Sequence, residues 1–143
     1  MSELATYDDV NLLLRLYELR RDDKMRQARE WFAGVFKAKT MEEFMQQARP
    51  GSGPNAWYRM VTSYWEMVAS FVTAGVLNKE LFFQSSGEML LVWVKVRALV
   101  PEFRAARNNP GAYRNLETVA KEYIDYMNRD DPQAFDTFAK LFS

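Results

Sequence analysis

Apolar residues recur every three or four positions along most of this chain, which is the period of an α-helix. The segment from Met89 to Val94 is apolar on every side, a pattern typical of a helix at the centre of a protein. No part of the chain has the pattern of a strand meander. Amphipathic helices joined by short turns bury their apolar faces against one another. The sequence therefore predicts an all-α fold, an irregular bundle of six to eight helices that forms a single domain over residues 1–143.

Turn and capping residues set the expected boundaries of these helices. Thr6 with Asp9, and Thr40 with Glu43, have the spacing of a capping box. The charged stretch 20–24 contains neither Gly nor Pro, so residues 8–37 form either one bent helix or two helices. The expected helices cover residues 8–21, 23–37, 40–48, 55–74, 79–84, 87–106, 112–127 and a last segment from 132 onward.

Three places in this pattern carry more specific expectations. Leucines widen the apolar stripe of the first helix, which predicts that this helix is buried on more than one side. Pro101 should kink the helix over 87–106 or begin a new turn within it. Asp131 is expected to cap the last helix, with Pro132 at its first position.

The charges of the chain balance, with 19 basic and 19 acidic residues. A protein that binds nucleic acid through phosphates needs a basic excess or a basic patch. In the most basic segment, Arg15 to Arg29, acidic residues such as Asp22 and Asp23 cancel much of the positive field. We therefore interpret this segment as a solvated helix face and expect no nucleic-acid partner.

The chain contains no cysteine and no histidine, which excludes disulfides, thiol nucleophiles, histidine catalysis and the commonest metal ligands. Gly-rich phosphate loops and nucleophile elbows are also absent from the sequence. The paired carboxylates lie at predicted helix starts, where the helix dipole favours negative charge. We expect no catalytic residue, no metal and no cofactor, and we favour a non-enzymatic function over an enzymatic one.

The location of the protein is expected to be cytoplasmic. The N-terminal residues lack the basic and apolar regions of a signal peptide. The longest apolar run, Met89 to Val94, is far too short to cross a bilayer. We therefore expect no membrane partner.

A ligand-binding site is predicted around Glu66. This carboxylate follows Trp65 and shares its helix face with small polar residues, which would suit a pocket wall. Lys95 and Arg97 are the charged residues of an otherwise apolar stretch, so one of them would reach Glu66, Glu88 or an anionic ligand. Ordinary core packing and ion pairing are the competing explanation. The candidate ligand-binding residues are Glu66, Trp65, Trp93, Lys95 and Arg97.

A subunit interface is the second candidate surface. Aromatic residues make up 15% of the chain, more than one small core needs. Trp57 and Tyr58 follow directly after a loop rich in Gly and Pro, at a position typical of a rim. We therefore predict that this pair contributes to a homo-oligomer interface.

The chain resembles a family of small uncharacterised bacterial all-helical proteins, a domain of unknown function. The resemblance covers residues 21–126 and rests on an aromatic-aromatic-Glu helix, a Gly cap with two apolar residues, and a Glu-Leu-aromatic motif. It implies the helical fold and a bacterial origin, and it supplies no catalytic residue. The matching residues are Tyr64, Trp65, Glu66, Gly75, Val76, Leu77, Asn78, Glu80, Leu81, Phe82, Gly87, Trp93 and the segment Tyr113 to Glu117.

Two hypotheses on function follow. The first is a non-catalytic helical interaction module that associates with itself, which predicts a stable oligomer without a small molecule. The second is a helical bundle that binds a small molecule in an aromatic pocket near Glu66, which predicts a cavity with converging polar groups.

Overall fold

Nine α-helices form the secondary structure of residues 4–142, the part of the chain that the structure, a computed structural model, describes. No strand occurs among these residues. The all-α prediction is confirmed, whereas the expected number of six to eight helices is wrong by at least one. The helices are α1 (Tyr7–Arg20), α2 (Asp23–Gly34), α3 (Met41–Gln47), α4 (Gly53–Thr73), α5 (Lys79–Ser85), α6 (Gly87–Val96), α7 (Val100–Ala106), α8 (Arg114–Asp130) and α9 (Ala134–Leu141).

The additional helix arises because the expected helix over 87–106 is divided in two. The helix α6 ends at Val96, and α7 begins at Val100 with Pro101 in its first turn. A proline has no N–H to donate, and its ring would clash with the carbonyl group four residues earlier, that of Arg97. The chain therefore breaks at 97–99 and restarts, which is the second of the two outcomes expected of Pro101.

Residues 8–37 form two helices rather than one. Asp22 lies between α1 and α2, and its side chain accepts the backbone N–H groups of Lys24 and Met25 at 3.1 and 3.4 Å. These are orphan donors of the α2 N-terminus, so Asp22 is a helix cap. The two helices are thus separated at a capped boundary that contains neither Gly nor Pro.

The expected start of the last helix is wrong by two residues. Asp131 does not cap α9, because its carboxylate accepts the N–H of Gln133 in a turn that precedes the helix. A residue of α8 caps the first turn of α9 instead: the side chain of Asn128 accepts the N–H of Phe135 at 3.0 Å. Pro132 consequently lies in the turn rather than at the first helical position.

The core is formed by α2, α4, α6 and α8. The helix α4 packs against α2, α6 and α8, and α8 also contacts α6 and α9. The segment from Met89 to Val96 is buried except for Leu91, which is half-buried, so the predicted central position of α6 is confirmed. Aromatic rings fill the space between α2, α3, α4 and α7, where Phe44 lies 4.9 Å from Tyr58 and 5.0 Å from Phe103 between ring centroids.

The helix α1 lies at the edge of this core and is attached to it mainly through one face. Leu16 is buried, and its carbonyl group accepts the hydroxyl of Tyr64 on α4 at 2.6 Å. Asp9 is also buried and accepts the N–H of Asn78 at 2.8 Å. The expectation that α1 is buried on more than one side is wrong within this chain, because its opposite face is exposed to solvent.

Candidate functional site

The exposed face of α1 carries a row of large apolar side chains. Tyr7, Val10, Leu14 and Tyr17 follow one another at intervals of three, four and three residues, so they lie in one line along the helix. Their exposed fractions are 78%, 41%, 55% and 52%. Single exposed apolar residues are common on protein surfaces, whereas a contiguous row indicates an interaction surface. We call these four residues the α1 stripe.

A cleft lies between the inner edge of α1 and the helices α4 and α5. Its volume is about 290 Å³, near the lower end of the range of about 300–1,000 Å³ for ligand pockets. Tyr17 and Leu14 lie at the border that the cleft shares with the α1 stripe. We call this cavity the α1 cleft; its other apolar walls include Leu13, Leu16, Trp65, Val68 and Phe82.

One charged side chain, that of Arg20, lines the α1 cleft. Its guanidinium carbon lies 5.2 Å from the ring centroid of Trp65 and 5.5 Å from that of Tyr17, so two aromatic faces hold it in place. Its Nε–H is buried and has no acceptor within residues 4–142, and no carboxylate in that range pairs with it. An unpaired buried donor costs about 1–3 kcal/mol. Arg20 is therefore a cation that is positioned without a counter-anion.

The nearby carboxylate of Glu88 is already neutralised by another arginine. The Nε and Nη2 groups of Arg29 donate to both oxygens of Glu88 at 2.9–3.0 Å, which is a bidentate ion pair. The indole N–H of Trp65 donates to the same carboxylate at 3.1 Å. Arg29 also donates to the carbonyl group of Arg20 at 3.0 Å. This network fixes the Trp65 ring and the end of α1, which are two parts of the cleft wall.

Tyr64 also lines the α1 cleft, and its hydroxyl stays protonated at physiological pH. Burial raises the pKa of its hydroxyl to about 12, although the positive charge of Arg20 opposes that shift. The neutral hydroxyl is therefore always available to donate to Leu16. The position of α1 over the cleft does not depend on pH through this contact.

Glu66 points away from the α1 cleft and binds the N-terminus of α8. Its Oε1 accepts the N–H of Leu116 at 2.8 Å, and its Oε2 accepts the N–H and the side-chain amide of Asn115 at 3.2 and 2.7 Å. The local residue at the cap position, Tyr113, has a left-handed backbone and supplies no side-chain cap. Glu66, which belongs to α4, therefore caps α8 in place of a local side chain. It also borders a shallow open groove of about 390 Å³.

The other predicted ligand residues do not converge with Glu66 on one cavity. Trp65 lines the α1 cleft, and Trp93 is buried in α6. Lys95 is 6% exposed and donates to the carbonyl group of Phe36 at 2.6 Å rather than to a carboxylate, and burial lowers its pKa. Arg97 is exposed, with its guanidinium 5.5 Å from the ring centroid of Phe135. The five residues thus lie in five different environments and share no single cavity.

The predicted interface pair is only partly accessible. Tyr58 is 3% exposed, and its hydroxyl is hydrogen-bonded to that of Tyr113 at 2.8 Å within the aromatic core. Trp57 is half-buried against Trp31, with 6.0 Å between the ring centroids. An interface that uses Trp57 stays a prediction, but the ring of Tyr58 is already covered by its own chain.

The described residues contain neither a cluster of metal-ligating side chains nor a membrane-spanning helix. Within residues 4–142 no three acidic side chains lie close enough together to hold a metal ion. Among the helices described, none combines the length and the apolar character that crossing a membrane requires. The α1 stripe and the α1 cleft are the candidate sites with the most exposed apolar surface and an unpaired cation, respectively.

Comparison with known proteins identifies the family. The family described as Domain of unknown function (DUF4760) matches residues 5–123, which is most of the chain, and the chain belongs to this family. The predicted membership of a family of unknown function is thereby confirmed. No curated protein and no solved structure matches the chain significantly.

Proposed function

We propose that this member of the DUF4760 family is a non-catalytic helical interaction module that associates with itself through the α1 stripe. The observation that carries the proposal is the exposure of four aligned apolar side chains on a helix whose other face is docked on the core. A second copy would bury this row and thereby remove it from water. The wide apolar stripe of the α1 sequence would then be covered on both sides.

The α1 stripe is suited to pairing with itself in an antiparallel arrangement. Its residues read nearly the same in both directions, with a tyrosine at each end and two aliphatic residues between them. A twofold axis at the middle of α1 would place Tyr7 against Tyr17 of the second copy, and Val10 against Leu14 of the second copy. Such an interface is isologous, which is the usual form of a dimer.

The charges of α1 favour the same orientation. The exposed charge of its first turn is Asp8, whereas toward its other end the exposed Arg15 and the following Arg21 outnumber Glu18. An antiparallel pair places the acidic end of one helix beside the basic end of the other. A parallel pair would bring like charges together, which disfavours that arrangement.

The size of the α1 stripe sets the expected affinity. Four partly exposed side chains provide a few hundred Å², less than the roughly 800 Å² per partner of a standard interface. We therefore expect a weak dimer, with a dissociation constant on the order of 10 μM or higher. The oligomeric state should depend on protein concentration.

Sedimentation velocity over a range of concentrations tests this proposal. The wild type should shift from the 16.8 kDa monomer toward a dimer as its concentration rises. Val10→Lys should remain monomeric, because the substitution places a charge in the middle of the α1 stripe. The matched control is Val76→Lys, since Val76 is 66% exposed and lies outside the stripe, after the end of α4.

The control variant should dimerise like the wild type, and far-UV circular dichroism should show equal helicity in all three proteins. A wild type that stays monomeric at the highest concentration would overturn the proposal. Equal association of the wild type and Val10→Lys would place the interface elsewhere, with Trp57 as the next surface to test.

Small-molecule binding remains a second candidate function, because the α1 cleft combines apolar walls with one unpaired cation. Of the residues predicted for such a site, Trp65 is the one that lines this cleft. The resemblance noted in the sequence supports a bacterial origin. The single-domain organisation, the cytoplasmic location and the absence of a nucleic-acid partner stay predictions.

A further inference from the structure

We propose that the α1 cleft binds an amphipathic monoanion, a carboxylate with a short unbranched hydrocarbon chain, whose charged group pairs with Arg20. The inference rests on the second candidate function, ligand binding, and does not require self-association, although Leu14 and Tyr17 belong to both surfaces. It follows from three features of the cleft: its cation, the charges around it and its apolar walls.

Arg20, the cation of the cleft, is held in a position suited to binding an anion. Arg20 lies between two aromatic rings, so the entropy lost on fixing this long side chain has largely been lost before a ligand arrives. Its buried Nε–H has no acceptor within the described residues. A carboxylate matches the planar fork of a guanidinium group, so a bound carboxylate would supply the anionic partner that Arg20 lacks.

The charges around Arg20 favour a negatively charged group at the mouth of the cleft. A groove of about 400 Å³ opens beside it and is lined by Tyr17, Arg20, Arg21, Arg26 and Arg29. Glu88, which accepts the indole N–H of Trp65, is held in the bidentate pair with Arg29 and therefore does not compete for Arg20. None of the acidic residues of the segment 15–30 lines the cleft or the groove, and Asp22 is bonded as the cap of α2. These residues are Glu18, Asp22, Asp23 and Glu30.

The interior of the cleft favours a hydrocarbon chain. Aliphatic side chains of α1 and α4 and aromatic rings of α1, α4 and α5 make up most of its lining, which also includes the hydroxyl-bearing Ser85 and Ser86. Each methylene group transferred from water into such a site contributes about 0.8 kcal/mol. The volume of about 290 Å³ suits a chain of moderate length rather than a nucleotide or a cofactor.

Titration with octanoate tests the inference, followed through the indole N–H signal of Trp65 in an NMR spectrum of the protein labelled with nitrogen-15. This group donates to Glu88 at the wall of the cleft, and Trp65→Phe assigns its signal. Octanoate should shift the signal in a saturable manner. Octan-1-ol, which has the same chain without the charge, and acetate, which has the charge without the chain, should each bind at least about tenfold more weakly.

Two arginine variants determine whether Arg20 carries the recognition. Arg20→Gln should weaken octanoate binding about tenfold or more, because it removes the charge and the fork. Arg21→Gln is the matched control, since Arg21 is exposed, neighbours Arg20 and also lies against Tyr17. Its effect should be less than about twofold, because solvent and salt screen an exposed charge.

Several outcomes would overturn the inference. Equal binding of octanoate and octan-1-ol would show that the cleft recognises hydrocarbon alone, and equal binding of acetate would show a simple anion patch. Unchanged binding by Arg20→Gln, or no shift of the Trp65 signal, would also refute it. Repeating the titration with the Val10→Lys protein separates the two proposals, because Val10 does not line the cleft and that variant is expected to be monomeric.

Discussion

Replacing Glu66 should destabilise the protein because this side chain caps α8 from another helix. Its carboxylate accepts three donors of Asn115 and Leu116, at 2.7, 3.2 and 2.8 Å. Two of these donors are orphan backbone N–H groups of the first turn of α8. No local side chain can take over, since Tyr113 supplies no cap bond. The change Glu66→Ala removes all three bonds, and Glu66→Gln leaves one acceptor oxygen.

The magnitude follows from the two kinds of contact that are lost. Removal of a capping side chain costs about 0.5–2 kcal/mol, and a hydrogen bond to a charged group contributes about 1.5–3 kcal/mol. Glu66 is half-buried, so water replaces part of the loss. We expect Glu66→Ala to lower the free energy of unfolding by about 2 kcal/mol. Glu66→Gln should lower it by about 1 kcal/mol, because the charge at the helix dipole is lost while one acceptor remains.

Urea unfolding, followed by far-UV circular dichroism, measures both values. With a slope of about 2 kcal/mol per molar urea, Glu66→Ala should lower the midpoint by about 1 M and Glu66→Gln by about 0.5 M. Glu42→Gln is the control, since Glu42 is exposed in the first turn of α3, and its effect should stay within about 0.5 kcal/mol. If Glu66→Ala also changed the free energy of unfolding by no more than about 0.5 kcal/mol, the capping role would be refuted. The ligand-binding role predicted for Glu66 would then be the next hypothesis to test.

Two further predictions concern the attachment of α1 and the end of α4. The backbone N–H groups of Thr6 and Asn78 lower the pKa of Asp9 below its ordinary value of 3.8, so its stabilising effect is complete above that pH and is lost as the pH falls through the lowered pKa. Asp9→Asn should therefore flatten the acid side of the stability–pH curve, and an unchanged acid side would contradict this. Gly75 has a φ of +79°, so Gly75→Ala should cost about 1 kcal/mol in urea unfolding. Gly34→Ala, at a helical position with open space around it, should instead stabilise by about 0.5–1 kcal/mol, and equal effects of the two changes would refute the explanation.

The helix starts that depend on neighbouring residues could be predicted from the sequence. Thr6 and Asp9 form the predicted capping box, with both reciprocal bonds present. Thr40 accepts the N–H of Glu43 as expected, although the side chain of Glu43 returns to the N–H of Lys39. These contacts span three or four residues, so their geometry is fixed by the local chain.

Contacts between distant parts of the chain could not be predicted in the same way. The carboxylate of Glu66 binds residues about fifty positions away, and Glu88 pairs with Arg29 across 59 positions. The sequence identified Glu66 and Lys95 as unusual, but which groups they meet depends on how the helices cross. Lys95 could have found a carboxylate, and it binds a carbonyl group at the end of α2 instead.

The cation of the α1 cleft was missed because its segment was interpreted as a solvated helix face. The exposed arginines of that segment agree with this interpretation, but Arg20 does not. A signal for it is present in the sequence, since Tyr17 precedes Arg20 by three residues and therefore lies on the same helix face. The second aromatic ring, that of Trp65, comes from another helix and could not be inferred from spacing.

Cysteine cross-linking between copies reports antiparallel association through α1 without relying on affinity. The natural chain contains no cysteine, so each introduced thiol is unique. Protein carrying Tyr7→Cys is mixed with protein carrying Tyr17→Cys and oxidised, and mass spectrometry counts the mixed and the like disulfide dimers. Antiparallel pairing predicts that the mixed dimer exceeds the sum of the two like dimers, which random pairing would only equal, and that it exceeds the background given by Val76→Cys. Like dimers in excess would indicate parallel pairing, and cross-linking no greater than this background would contradict association through the α1 stripe.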